Sequence, residues 1–188
     1  MRTVTVLAQA VVIALALHSP TNANELYITQ TGNGLTLQSS QNGPDNLADI
    51  TLNGNNQTIK NMQVVSVDTA DYHWLEMVVY GDNTYAQSIQ THEDNKYSNI
   101  NIDGDNNNIF WEQRDSGPHT GFVSVTGDGH RIYGEQKGSG NHYAEIDITN
   151  GGGSYDIDFL QDGSTDQSYT LFGTCTNANG CALTVTQQ

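Results

Sequence analysis

Histidine and carboxylate side chains are the groups in this chain most able to do chemistry, and their spacing argues against a catalytic centre. His18 lies in an apolar leader, while His73, His92, His119, His130 and His142 fall mostly in turns or on no common face, which predicts solvent-exposed loop histidines. The run Asp103-Gly-Asp105-Asn-Asn107-Asn resembles a calcium loop, but its glycine is misplaced and the twelfth position is Arg114 instead of a glutamate. No Gly-x-Ser-x-Gly elbow occurs, and no cysteine stands with a base in one motif. Acidic pairs such as Asp147 and Asp158 are as frequent as chance allows. The expectation is a protein that is not an enzyme and uses no metal or cofactor.

Charge and leader narrow the class further. Six Lys and Arg stand against 21 Asp and Glu, a net charge of −15, which excludes nucleic acid and anionic membrane surfaces as partners because both are polyanions. Residues 1–23 read as a secretory signal peptide: Arg2, then an apolar run, then Thr21-Asn-Ala23 as a small-residue cleavage site. The apolar run is shorter than the roughly 20 residues a bilayer-spanning helix needs, so no membrane span is expected. In an exported chain, Cys175 and Cys181, separated by five turn-forming residues, point to a disulfide clipping a C-terminal strand hairpin over residues 168–188.

The elements that position everything else are repeats. Taking Gly54 as a phase marker, the same frame returns at Gly81, Gly104, Gly127 and, after an insertion, Gly152. A glutamine stands nine residues beyond each, so that Gln41, Gln63, Gln90, Gln113, Gln136 and Gln161 are spaced by 22, 27, 23, 23 and 25 residues. Such a period means a stacked array of supersecondary units.

Upstream of each marker glycine, apolar residues alternate: Ile50 and Leu52, Met77 and Val79, Ile100 and Ile102, Val123 and Val125, Ile146 and Ile148. Period two is the mark of a strand with one buried face. Downstream, Ile59, Ile109, Ile132 and Ile157 begin a second strand whose inward face also carries the glutamines. A buried amide is costly unless satisfied, and here the partner is the same glutamine one rung above and below, about 4.8 Å away. The fold class is therefore all-β, a cross-β solenoid of about five to seven strand-turn-strand coils over residues 24–167.

The turn after the glutamine makes the pattern specific. Gln41-Asn-Gly43-Pro-Asp-Asn46-Leu-Ala48 and, one residue longer, Gln136-Lys-Gly138-Ser-Gly-Asn141-His-Tyr-Ala144 are each followed by an alternating strand. In this it resembles the curlin repeat of curli amyloid subunits, with Asn46 and Asn141 as turn asparagines. The resemblance implies an extracellular, denaturant-resistant fibre that holds cells to surfaces and to each other in a biofilm. It also implies export through outer-membrane secretion machinery and assembly with itself or with other curlin subunits.

The expected function is accordingly a secreted structural subunit polymerising end to end by β-augmentation. Two alternatives remain open at this level. One is a minor, nucleating curlin subunit. The other is a soluble β-solenoid that binds carbohydrate through exposed aromatics such as Trp74, Tyr85, Phe110 and Tyr133.

Overall fold

Strict alternation of inward apolar and outward polar side chains gives each segment one face to bury, and a stack of such segments buries them against one another. The structure, a computed structural model, describes residues 2–8, 13–17, 24–65, 71–149 and 153–188. Among these residues it is all-β, a solenoid of about seven turns of roughly 23 residues.

Seventeen strands run in chain order: β1 (Arg2–Ala8), β2 (Ile13–Leu17), β3 (Glu25–Thr31), β4 (Leu35–Asn42), β5 (Leu47–Asn53), β6 (Thr58–Val64), β7 (His73–Tyr80), β8 (Tyr85–Thr91), β9 (Lys96–Asp103), β10 (Asn108–Gln113), β11 (His119–Thr120), β12 (Val125–Thr126), β13 (Arg131–Lys137), β14 (His142–Thr149), β15 (Tyr155–Asp162), β16 (Gln167–Thr174) and β17 (Cys181–Gln187). From β3 onward the strands alternate between two sheets, except that β11 and β12 both belong to the sheet of β9. One is ordered β1-β4-β6-β8-β10-β13-β15-β17 and the other β16-β14-β11-β9-β7-β5-β3-β2, with β12 also on β9. All pairings between successive coils are parallel and in register, so like residues stack: Ile50 on Met77, Met77 on Ile100, Ile109 on Ile132, Ile132 on Ile157.

The core lies between the sheets as one continuous column. Ile50, Leu52, Ile59, Met77, Val79, Ile100, Ile102, Ile109, Val123, Val125, Ile132, Ile146, Ile148 and Ile157 are all at most 1% exposed. In the fifth coil the first strand is interrupted between β11 and β12, and Val123 there has a φ of 106° yet remains fully buried. The marker glycines are required by the close stacking of the turns. A Cβ on Gly54 would lie 2.0 Å from the carbonyl oxygen of Gly81, and one on Gly81 would lie 2.1 Å from that of Gly104. Gly152 lies outside the described residues, as do residues 66–70 of the insertion after Gln63 and the expected cleavage site at Ala23.

One expectation changes. Residues 168–188 do not form a hairpin: β16 pairs with β14 and β17 with β15, both in parallel, so this segment is a seventh coil. The alternation of Tyr169 and Leu171, and of Leu183 and Val185, matches the core column, and the Cys175–Cys181 disulfide closes the arc between the two strands. At the other end, the first coil is not bare. β1 lies antiparallel on β4, and β2 antiparallel on β3.

Candidate functional site

Seven glutamines form one ladder along the solenoid axis. Each Nε2 donates to the Oε1 of the next: Gln41 to Gln63 at 2.8 Å, Gln63 to Gln90 at 2.9 Å, Gln90 to Gln113 at 3.1 Å, Gln113 to Gln136 at 2.9 Å, Gln136 to Gln161 at 2.8 Å and Gln161 to Gln187 at 2.8 Å. The second Nε2 hydrogen crosses the coil to a carbonyl of the opposite sheet, as in Gln63 to Leu47 at 2.8 Å and Gln113 to Tyr97 at 2.8 Å. Both amide donors are thus used, which is what makes a fully buried glutamine tolerable. Gln38 is exposed, so Gln41 starts the ladder. The sequence alone does not show Gln187 as a rung, because the paired cysteines of residues 168–188 point to a hairpin.

The ladder has a direction. Its donors all point toward the C-terminal coil, so that end presents Nε2 of Gln187, whose other contact is the Ser168 carbonyl at 3.3 Å.

A second column contradicts the reading of the histidines as exposed. His73, Lys96, His119, His142 and Gln167 stand in register at the first position of β7, β9, β11, β14 and β16. His73, His119, His142 and also His130 are at most 1% exposed, and only His92 among the five lies at the surface. Whereas His73 Nε2 reaches the His92 carbonyl of the next rung at 3.2 Å, His119, His142 and Gln167 tie down the turn before them, His119 Nε2 donating to the Arg114 carbonyl at 2.8 Å and His142 Nε2 to that of Lys137 at 2.8 Å. Asn46 does the same in the second coil, reaching the Asn42 carbonyl at 3.2 Å. Asn141 does not occupy this place. It is exposed, and the longer turn puts its neighbour His142 in the column instead.

Lys96 is buried with its Nζ donating to the carbonyls of Glu93 at 2.7 Å and Gly117 at 2.5 Å. Burial pushes its ammonium down to about 8. Burial first, and the Lys96 charge second, push His73 down to about 4 and His119 down to about 3. His130 is lowered by burial as well, and it accepts the Tyr155 N–H on Nδ1 at 2.9 Å, a bond that needs the neutral ring.

No protein-family model, curated protein or solved structure matches the chain.

The acidic turns form a third column. The backbone N–H of Asn55 donates to Asp82 Oδ1, that of Asp82 to Asp105 Oδ1, and that of Asp105 to Asp128 Oδ1, each at 2.7 Å. Every carboxylate therefore meets an amide dipole from the preceding rung, which offsets the repulsion between stacked aspartates. Among the described residues no group of three or more His, Cys, Asp or Glu is arranged to hold a metal ion.

The two ends differ from the middle. In the sixth coil Ala144, Ile146, Ile157 and Phe159 are at most 1% exposed. Their counterparts in the seventh, Tyr169, Leu171, Leu183 and Val185, are only partly covered, and β16 and β17 are the terminal strands of their sheets. Phe172 beside them is 63% exposed. The C-terminal end is an open strand edge backed by apolar side chains, a template for a further parallel strand pair.

Proposed function

We propose that this chain is a secreted subunit of a curli-like extracellular fibre, in which the open seventh coil of one copy receives the first coil of the next. The observation that carries this reading is the uncovered C-terminal end, where Tyr169, Leu171, Leu183 and Val185 continue the core column into solvent. The directional ladder supports it: a Gln187 donor facing a Gln41 acceptor extends the same bond pattern across the junction. Heterologous contacts of this kind do not close, so they generate a filament.

The leader supports the other half of the contact. β1 and β2 lie within residues 1–23, so cleavage after Ala23 leaves β3 and β4 as the N-terminal edge. Export by the secretion machinery that the resemblance implies would then coincide with the gain of a second open end. The outcome is adhesion and matrix building outside the cell.

A sedimentation assay tests the junction. Leu171→Asp with Val185→Asp places charge on the open end, over Ile146 and Phe159 of the sixth coil, and leaves coils one to five untouched. The wild-type chain is expected to pellet as polymer, and the double variant to stay in the supernatant with unchanged β-structure. Equal pelleting of both would remove the C-terminal coil from the contact.

A further inference from the structure

A groove of about 370 Å³ opens on the outer face of the second-strand sheet, where β13, β15 and β17 lie side by side. It exists because outward side chains shrink toward the C-terminal end: Tyr133 on β13 stands over Asp158 on β15, followed by Thr184 on β17. The ring of Tyr133 is stacked on Phe110 with centroids 4.8 Å apart and planes within 4°. One face of Tyr133 is therefore covered by Phe110. The other looks along the axis over Asp158 and forms a wall of the groove.

The floor and rim are polar and charge-compensated. Arg131 pairs with Asp156 and, at 3.0 Å, with Asp158, while Glu135 is paired with Arg114 and lies 3.9 Å from the Lys137 ammonium. Thr184 and Thr186 are exposed hydroxyls, and Leu160 is a half-buried apolar patch between them and Glu135. A free aromatic face beside paired carboxylates and hydroxyls suits a ligand with one apolar C–H face and hydroxyls around its rim. The net charge of −15 disfavours a uronate or sulfated chain.

We infer that this groove binds a pyranose unit of a neutral polysaccharide, with the sugar face stacked on Tyr133 and its hydroxyls held by Asp158, Thr184 and Thr186. The groove opens on the lateral face, but its last strand, β17, is also the strand on which the next copy would stack, so binding is read on the unpolymerised chain and end-to-end growth is read separately.

Affinity electrophoresis of the purified chain tests it, in native gels containing a soluble mixed-linkage β-glucan, a xyloglucan, a galactomannan or alginate. At least one of the three neutral polymers is expected to retard the chain, and alginate is not. Tyr133→Ala should weaken the retardation at least tenfold, whereas Tyr133→Phe, which keeps the stacking face, should retain it. Thr184→Arg, which fills the floor, should abolish retardation, and unchanged circular dichroism shows that each variant is folded. No retardation by any neutral polymer, retardation by alginate alone, or full binding by folded Tyr133→Ala would overturn the assignment.

Discussion

The indole of Trp111 occupies the space that a side chain at Gly134 would fill: a Cβ there would lie 2.1 Å from ring atoms Cε3 and Cζ3. Trp111 then stacks on Phe159 across the glycine rung, with centroids 5.9 Å apart and planes within 11°. What looks in the sequence like a break in the repeat is a volume exchange between neighbouring rungs.

Gly134→Ala should therefore cost about 1–3 kcal/mol by overpacking. In a Trp111→Ser background, which places at position 111 the residue found at Ser88 one rung earlier, the same change should cost nearly nothing. Urea denaturation of the four chains of this cycle measures the coupling.

The glutamine ladder predicts a position-dependent loss. Gln113→Leu leaves the Gln90 donor and the Gln136 acceptor unmet in a dry core, at a cost of about 3 kcal/mol. Gln187→Leu removes a single ladder bond at the half-exposed end and should cost about 1 kcal/mol. Equilibrium unfolding of both variants checks the contrast.

Acid should open the coils through the histidine column. His73 and His119 titrate from 6.5 when unfolded to about 4 and about 3 when folded, so their contribution is whole above pH 6.5 and is lost as pH falls toward 3. Each pH unit in that window costs up to about 1.4 kcal/mol per group. Thermal melts between pH 7 and pH 4 should show a falling Tm. His119→Gln, which puts at this place the side chain that Gln167 already carries in the column, should flatten the slope.

Reduction of the Cys175–Cys181 disulfide should loosen the last coil alone. The bridge closes a short arc, with a sequence separation of 6, and a loop of that size is worth about 2 kcal/mol in chain entropy. Each coil touches only its neighbours, so hydrogen exchange should quicken in β16 and β17 and remain unchanged from β5 to β10.

The strands, their inward faces and the glutamine ladder were legible in the sequence because each recurs at a fixed distance from the marker glycine. The histidine column was hidden by turns of variable length. Counted forward from the glutamines, Asn46 and His142 fall at different offsets; counted back from the first inward residue of the next strand, Ala48 and Ala144, they coincide. The same variable turn drew attention to Asn141 in place of His142. The seventh coil is hidden in the sequence by its paired cysteines, which suggest a hairpin, although the alternation of Leu183 and Val185 ending at Gln187 continues the ladder. The groove beside Tyr133 depends on the relative heights of side chains on three rungs, which only the register reveals.

End-to-end growth is tested most directly by a time course of thioflavin fluorescence on the purified chain spanning residues 24–188, with and without preformed seeds, followed by fibre diffraction of the product. End-to-end growth gives a lag that seeds abolish and reflections near 4.7 and 10 Å, the strand and sheet spacings of a cross-β fibre. A chain that stays folded and monomeric at high concentration, with seeds present, would contradict it.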